Sequence, residues 1–234
     1  MTFCKPSPLT HSDFARMTQP MKHPVLITGA SRGLGSALAL KLSQRFHIIA
    51  VAKTTGGLEE LDDRIQAIGG QATLAPLDVT DANAVRHLCS SIHDRWGGLL
   101  LWIHCVIHAA PLSPANFIDV SDWEKSIKIN IMATGMLIPN IAPLLAQTGT
   151  AVFLDDPCAG RKFFGSYGST KSAQISLARS WQAETSNTGP KVKILTPSPM
   201  PTATRARFFP GESHETLSTC NIEAEKITKI LDII

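Results

Sequence analysis

Residues 28–35 read TGASRGLG, and they stand between a short apolar run and a helical pattern. The apolar run PVLIT (24–28) has the length and composition of a buried strand. The three glycines of the stretch (29, 33 and 35) permit a tight turn and a close approach of a phosphate to the backbone. The helix that follows offers free N–H groups and a positive dipole to that phosphate. The stretch therefore predicts a dinucleotide-binding turn, with a purely structural glycine turn as the alternative.

Apolar runs alternate with helical patterns along the rest of the chain. A helical pattern covers residues 122–145, where Pro139 and Pro143 are expected to kink or end the helix, and another covers 166–184. Repetition of strand and helix, with strands that are apolar on both faces, predicts an α/β fold with a doubly wound parallel sheet. The predicted strands are 24–28, 47–52, 72–77, 99–107, 150–154 and 191–196.

Composition excludes several classes of protein. The chain has 234 residues, of which 44% are hydrophobic and 18% charged, so it can bury a large core. The net charge of +3 is spread along the chain, which gives no reason to expect a nucleic acid or a membrane surface as partner. Five cysteines without a C-x-x-C pair predict reduced thiols in a cytoplasmic protein.

The sequence predicts no membrane-spanning helix, because no apolar stretch approaches the roughly 18 residues that such a helix needs. Residues 1–22 have no apolar periodicity, and we expect a flexible N-terminal tail there. A single domain is expected over residues 23–234.

The end of the second predicted strand indicates which nicotinamide cofactor the turn would take. Sites for NAD usually place a carboxylate there, on the ribose hydroxyls. This chain has Ala52, Lys53 and Thr54 instead, and Arg32 lies in the turn that faces them. Two cations without a competing acid favour the 2′-phosphate of NADP over NAD. The alternative for Lys53 is an ordinary solvated surface charge.

Tyr167 is the only tyrosine, and it precedes Lys171 by four residues in SYGSTKSA. This spacing places both side chains on one face of the predicted helix. A nearby ammonium favours the phenolate and is expected to lower the tyrosine pKa from about 10 towards neutrality, as proton transfer requires.

Together with TGASRGLG, this Y-x-x-x-K pattern resembles the short-chain dehydrogenase/reductase family, from about Pro24 to Gly211. The resemblance implies a single Rossmann-fold domain and an NADP-linked oxidoreductase that acts on a small-molecule carbonyl or alcohol. It implies that Tyr167 donates the proton while Lys171 binds the cofactor ribose. It also implies a homodimer or homotetramer that assembles through the helices holding Asn130 and Tyr167.

Further positions match the family in chain order. Asp78–Val79 matches the pair that flanks the adenine, Asn130 the asparagine that organises the lysine's proton relay, and Thr202 the threonine that holds the carboxamide. The segment after Thr202 is expected to cover the pocket. The implied cofactor-binding set is Gly29, Ser31, Arg32, Gly33, Leu34, Gly35, Lys53, Asp78, Val79, His104, Lys171 and Thr202.

The family has a catalytic serine after the fifth strand, and aligned back from Tyr167 its position falls within Asp155–Pro157, most naturally on Asp156. No serine lies between Thr150 and Ser166. An ionised Asp156 cannot donate a hydrogen bond to a carbonyl, and it would repel a tyrosinate. It could be protonated by burial, pair with Lys171 or point away from the pocket. A turn residue without chemistry is the alternative.

Two more motifs around the same pocket depart from the family pattern. Asn-Asn-Ala-Gly is replaced by residues 104–107 (His-Cys-Val-Ile), where Ile107 adds bulk in place of glycine. A gapped alternative would align 107–110 instead. The family's Pro-Gly after the sixth strand is Pro197–Ser198.

Three functional hypotheses follow from this pattern. The first is a working but divergent NADP-dependent oxidoreductase, in which Asn130, Tyr167, Lys171 and Asp156 form the catalytic site. The second is a catalytically inactive relative that keeps the fold for nucleotide binding or assembly. A third is a zinc site, because acceptable ligand types gather at neighbouring strand ends: His104, Cys105, His108, Asp155, Asp156 and Cys158.

Overall fold

The computed structural model describes residues 24–145 and 147–232, so the predicted tail at 1–22 lies outside the described residues. Six parallel strands form one sheet in the order β3-β2-β1-β4-β5-β6, with helices on both faces. The predicted doubly wound parallel sheet is therefore confirmed. The strands are β1 Pro24–Thr28, β2 His47–Ala52, β3 Gln71–Pro76, β4 Leu101–His104, β5 Thr150–Leu154 and β6 Lys191–Leu195.

Helices connect the strands and cover both faces of the sheet. A 3₁₀ turn, Ala115–Phe117, precedes α4, and a π-helical segment, Ile127–Met132, joins α4 to α5. The helices are α1 Gly33–Leu42, α2 Thr55–Ala67, α3 Ala82–Trp96, α4 Val120–Ser126, α5 Ala133–Leu145, α6 Gly165–Glu184, α7 Ala203–Phe208 and α8 Cys220–Leu231.

The order of the strands reverses at β1. That strand pairs with β2 on one side and with β4 on the other, and Thr28 lies level with Val51 and His104. Ligands of open α/β sheets bind beyond the carboxyl ends of the strands at such a reversal. The topology therefore places the glycine turn that follows Thr28 at the expected ligand crevice.

Two hydrophobic layers hold the helices on the sheet. One layer packs α1, α2 and α8 against the inner strands, with Leu38, Ile65 and Ile227 buried in it. The other packs α3, α5 and α6 on the opposite face around Trp102 and Phe153. Both faces of the central strands are buried, as their continuous apolar sequence predicts.

The two prolines of the fourth connection do not end their helix, so that alternative of the expectation was wrong. Helical structure continues from Val120 to Leu145 through Pro139 and Pro143. A proline inside a helix removes one backbone hydrogen bond and costs about 3 kcal/mol. Burial of four apolar α5 side chains against the sheet offsets that cost. They are Leu137, Ile141, Leu144 and Leu145.

The fourth strand is shorter than its apolar run predicts. β4 ends at His104, whereas the run extends to Ile107. Cys105 donates its N–H to the Thr28 carbonyl at 2.8 Å, and the backbone then leaves the sheet beside the glycine turn. Apolarity alone cannot mark this end, because residues 105–107 remain partly buried in the cleft.

The expectation about membrane-spanning length was also wrong. Over the described residues, Val120–Leu145 is one helical stretch long and apolar enough to cross a membrane by length and composition. A third of its most apolar window is buried, and its α5 part packs on the sheet. Core helices of α/β proteins meet the same criteria, so this stretch is weak support for a membrane span.

Replacing Phe153 by alanine should destabilise the fold by about 3–5 kcal/mol. Phe153 is fully buried and contacts Trp102 and Trp181 edge-on, with ring centroids 5.4 and 6.2 Å apart. Urea unfolding followed by tryptophan fluorescence measures the loss. Ile68→Ala serves as the control, since Ile68 is 46% exposed. If Phe153→Ala lowered the free energy of unfolding as little as Ile68→Ala does, this packing would be contradicted.

Candidate active site

A cleft of about 780 Å³ opens at the carboxyl edge of the sheet. With one exception, Asn130, every site residue proposed from the sequence lines it. The lining includes Gly29, Ser31, Arg32, Gly33, Leu34, Gly35, Lys53, Asp78, Val79, His104, Asp156, Tyr167, Lys171 and Thr202.

The glycine turn fits a dinucleotide phosphate. Gly29 and Gly33 have φ of 85° and 58°, a region that side chains rarely adopt. A Cβ on Gly29 would lie 2.9 Å from the Cys105 carbonyl carbon, and one on Gly35 would lie 2.2 Å from the Gly29 oxygen. Arg32 begins α1 without a side-chain cap, so the N–H groups of the first turn remain available to an anion.

The end of the cleft formed by Lys53 and Asp78, where the sequence predicts the adenosine, carries an ion pair that the sequence did not indicate. Lys53 Nζ lies 2.9 Å from Asp78 Oδ2, so the expectation that Lys53 has no competing carboxylate was wrong. Burial alone would raise the pKa of Asp78, but hydrogen bonds from Lys53 and Thr80 outweigh it and lower the pKa to about 2. Arg32 is exposed and has no side-chain partner among residues 24–145 and 147–232.

Asp156 contacts the tyrosine directly. The Tyr167 hydroxyl donates to Asp156 Oδ2 at 2.9 Å, so the alternative in which Asp156 points away was wrong. The ion pairs of the described residues do not include one between Asp156 and Lys171. Its neighbour Asp155 faces Arg179 instead, 3.4 Å from that guanidinium. The two adjacent carboxylates therefore have different partners, as alternation along an extended chain requires.

The tyrosine pKa is shifted in the opposite direction from the one expected. Burial of Tyr167, then the charge of Asp156 and the hydrogen bond to it, raise the pKa of the phenol far above 10. The predicted lowering of the tyrosine pKa by Lys171 was therefore wrong. A phenol in this state is a poor proton donor at neutral pH, and its hydrogen is directed at a carboxylate rather than at a substrate.

Lys171 is buried and hydrogen-bonded to a neighbour on its own helix. Its ammonium donates to Gln174 Oε1 at 2.7 Å. Burial lowers the pKa of Lys171 to about 8, although Asp156 and Asp155 act to raise it. The lysine therefore loses its proton in a range close to physiological pH.

Gln174 and Thr134 connect this lysine to the rest of the site, and the sequence analysis missed both. Gln174 Nε2 donates to Thr134 Oγ1 at 2.9 Å, and that hydroxyl donates to the Asn130 carbonyl at 2.9 Å. Gln174 and Thr134 are almost completely buried. A polar residue at an otherwise buried helical position was the available signal, since buried polar groups need partners.

Asn130 joins two elements below the cleft. Its side chain accepts from the His108 N–H at 2.7 Å and donates to the His108 carbonyl at 3.0 Å. It also donates to Thr170 Oγ1 on α6 at 2.9 Å. The π-helical segment that contains Asn130 widens the helix at this point. Asn130 thus fixes the segment that follows β4 relative to the helix that carries Tyr167.

His104 closes the polar network beneath the cleft. Its Nδ1 lies 2.8 Å from Thr28 Oγ1, and its Nε2 lies 3.2 Å from Thr134 Oγ1. Burial, with a smaller effect of the charge on Lys171, lowers the pKa of His104 to about 3, so the ring is neutral. Cys105 and Val106 pass beside Gly29, which supports the ungapped alignment of residues 104–107 with the family motif.

The zinc hypothesis finds no support in this geometry. Both ring nitrogens of His104 face threonine hydroxyls, and His108 Nε2 faces Asp122 at 3.5 Å. In the part of the chain that the structure describes, no three His, Cys, Asp or Glu side chains form a group that could hold a metal ion.

The segment after β6 forms the remaining wall of the cleft. Thr202 caps α7 through the Arg205 N–H, and Phe208 packs on Tyr167 with ring centroids 4.8 Å apart. Glu223 on α8 is 3% exposed and accepts the Ser198 N–H at 3.0 Å. Burial alone would raise the pKa of Glu223, but its hydrogen bonds outweigh it and lower the pKa to about 2.

Comparison with known proteins agrees with this geometry. The family model for short chain dehydrogenases matches residues 23–213. An uncharacterized oxidoreductase of Listeria monocytogenes is 29% identical over 178 residues, which cover 74% of this chain and 71% of the relative.

Solved structures share the fold. A short chain dehydrogenase of Salmonella enterica superposes with a TM-score of 0.80 at 24% identity, covering 91% of both chains. An alcohol dehydrogenase of Thermococcus sibiricus, in complex with 5-hydroxy-NADP, superposes with a TM-score of 0.79 at 22% identity, also covering 91% of both chains. On its glycine turn, its Tyr-x-x-x-Lys helix and the match over residues 23–213, the chain belongs to the short-chain dehydrogenase family.

Proposed function

We propose that this chain is an NADP-dependent oxidoreductase of low activity that interconverts a small-molecule carbonyl and its alcohol. The observation that carries the proposal is the placement of Tyr167 and Lys171 in the same cleft as the glycine turn. A bound nicotinamide cofactor would supply the hydride. Among the protein groups, the Tyr167 hydroxyl would hold the proton for the carbonyl oxygen, and Lys171 would bind the ribose hydroxyls.

The hydrogen bond from Tyr167 to Asp156 is the reason to expect low activity. Proton donation to a carbonyl requires the phenol hydrogen to leave the carboxylate acceptor. The raised pKa of Tyr167 adds to that barrier, because a weaker acid donates its proton less readily. The same observation favours the second candidate function, a catalytically inactive nucleotide-binding protein.

Preference for NADP is proposed from Arg32. Its guanidinium lies in the glycine turn and is free, over the described residues, to contact a 2′-phosphate. Lys53 could join it only by leaving Asp78, with which it forms an exposed pair of small energy. The Thermococcus sibiricus neighbour binds an NADP derivative, which supports the same cofactor class for this chain.

Assembly with copies of itself is proposed from exposed apolar side chains near the helices of the site. Met132 is 64% exposed and Val120 is 68% exposed, and both belong to the helical stretch Val120–Leu145. Large exposed apolar residues in one region are typical of protein interfaces. A homodimer or homotetramer, like the cytoplasmic location, stays a prediction.

The cofactor proposal predicts that NADPH stabilises the protein more than NADH does. At 100 times its Kd, NADPH should add about 2.7 kcal/mol to the free energy of unfolding. Replacing Arg32 and Lys53 together by alanine should weaken NADPH binding at least about tenfold and NADH binding much less, because charge-assisted hydrogen bonds are lost. Thermal unfolding at graded cofactor concentrations measures both affinities.

Arg86→Ala with Lys191→Ala is the matched control, because it removes the same charge outside the cleft. Equal losses for NADPH and NADH in the Arg32 and Lys53 double variant would contradict the NADP preference. Absence of stabilisation by either cofactor would contradict the proposed function itself.

The pKa of Lys171 predicts a pH dependence of cofactor binding. The ammonium is present below pH 8 and is lost as the pH rises above it, so NADPH affinity should fall above about pH 8. Gln174→Leu removes the hydrogen-bond acceptor of the ammonium and should shift this fall to lower pH. Lys171→Met should abolish the dependence. Calorimetric titrations from pH 6.5 to 9.5 test this, and a constant wild-type affinity would contradict it.

Asp156→Ser is predicted to increase the reduction of an α-diketone by at least about tenfold at pH 7. The change removes the acceptor that holds the Tyr167 hydrogen and supplies a hydroxyl donor for the carbonyl oxygen. One such donor is worth on the order of 100-fold in rate. NADPH oxidation at 340 nm measures the rate.

Two further variants control this experiment. Asp155→Ser should increase the rate much less, because Asp155 faces Arg179 rather than Tyr167. Tyr167→Phe combined with Asp156→Ser should remove the gain, which excludes a contaminating reductase. If Asp156→Ser binds NADPH without a gain in rate, the inactive nucleotide-binding protein becomes the better description.

A further inference from the structure

A second cavity, of about 450 Å³, adjoins the cleft. We call it the side cavity. It shares Arg161 and Phe164 with the cleft, and Phe164 packs on Phe208 with ring centroids 5.1 Å apart. Its lining comprises Ser113, Ala115, Ala159, Gly160, Arg161, Lys162, Phe163, Phe164, Gly165 and Ser169.

The side cavity carries positive charge without a compensating acid. Arg161 and Lys162 are the charged residues of its lining, and neither aspartate nor glutamate belongs to it. Arg161 is exposed, and its guanidinium forms no hydrogen bond or ion pair with residues 24–145 or 147–232. Lys162 Nζ stands 4.7 Å above the Phe163 ring, an arrangement that leaves its donors open.

Three other arginines near the site are occupied. Arg179 pairs with Asp155, Arg205 forms two hydrogen bonds with Glu212, and Arg207 donates to the Ala109 carbonyl at 2.8 Å. Arg32 of the glycine turn is the other cleft arginine that is available to a ligand among the residues described, and it does not line the side cavity, so Arg161 is the available arginine of that cavity.

The loop that carries these cations also carries the proposed chemistry. Asp156 and Arg161 belong to the segment between β5 and α6, and the Arg161 N–H donates to the Cys158 carbonyl at 3.2 Å. Cys158 is 1% exposed and lies in the same apolar cluster as Tyr167. The cleft that holds Tyr167 and the side cavity share the wall formed by Arg161 and Phe164, so a substrate that crosses this wall would contact both.

The start of α6 adds a smaller positive contribution. Gly165, its first residue, lines the side cavity, and the first turn contains no acidic residue and no side-chain cap. Partial positive charge at a helix start favours an anion, but the two cations define this site.

We propose that the side cavity binds an anionic group, a carboxylate or a phosphate, at the end of the substrate opposite its carbonyl. The inference rests on the proposed oxidoreductase function and narrows the substrate class from carbonyl compounds in general to acidic ones. The phosphates of the cofactor are a different ligand, because no residue of the glycine turn belongs to the side cavity.

The test compares three aldehydes that differ in one group: 4-formylbenzoate, its methyl ester and 4-formylphenyl phosphate. Calorimetry measures their binding to the full chain with and without NADP⁺, so turnover is not needed. The acid or the phosphate should bind at least about tenfold tighter than the ester, as charge-assisted hydrogen bonds provide. The tighter of these two identifies the anion, and raising the salt from 50 to 300 mM should weaken only anion binding.

Variants connect the preference to the two cations. Arg161→Gln with Lys162→Gln should abolish the preference for the anion, measured in the chain without added NADP⁺. Arg86→Gln with Lys191→Gln makes the same change in net charge away from both cavities, and this variant should keep the preference for the anion. Arg161→Lys alone should keep most of the preference, which separates the effect of charge from a structural role of the arginine.

Two results would overturn the proposal: equal binding of acid, phosphate and ester by the wild type, or an unchanged preference after the loss of both cations. Failure of the proposed function gives a different result. The protein would then either not bind NADP⁺ or bind it without reducing any of the three aldehydes, while the anion preference would still be measured in the cofactor-free chain.

Discussion

The close approach of two backbone segments, at Gly29 and at Cys105–Val106, determines the shape of the cleft. A single added carbon at Gly29 would come within 2.9 Å of the facing backbone, so this contact requires a glycine. It requires β1 and β4 to be neighbours, and it brings the start of α1 beside the segment that Asn130 connects to the tyrosine helix. The sheet order, the crevice and the convergence of the site residues all follow from this adjacency.

Beneath that contact, a buried polar network replaces an apolar core. Lys171, Gln174, Thr134 and His104 are linked by hydrogen bonds, and each is nearly excluded from water. Such a network is costly unless its members are satisfied, and each of these four side chains has at least one hydrogen-bond partner. Lys171 is thus hydrogen-bonded to a neutral side chain of this network, Gln174, whereas the Asp156 carboxylate accepts the hydrogen bond of the Tyr167 hydroxyl.

Sequence analysis could predict the fold and most of the cleft, because these depend on local patterns. The alternation of apolar strands and helices was sufficient for the sheet, and TGASRGLG with Tyr167 and Lys171 was sufficient for the family. Pairings between distant side chains could not be predicted. Lys53 meets Asp78, and Lys171 meets Gln174, through geometry that no spacing encodes. The direction of the tyrosine pKa likewise depended on where one carboxylate points.

Glu223 connects the far wall of the cleft to the body of the protein. Its carboxylate binds the backbone at Ser198, and α8, which carries it, packs along α1. One carboxylate therefore ties the wall at Ser198 to the helix that packs beside the helix of the glycine turn. Beyond Pro199, the short α7 is held separately, because Arg207 donates to the Ala109 carbonyl and Phe208 packs on Tyr167. A rearrangement of this wall would break contacts both with the segment after β4 and with the tyrosine, so the shape of the cleft and the position of its tyrosine are coupled.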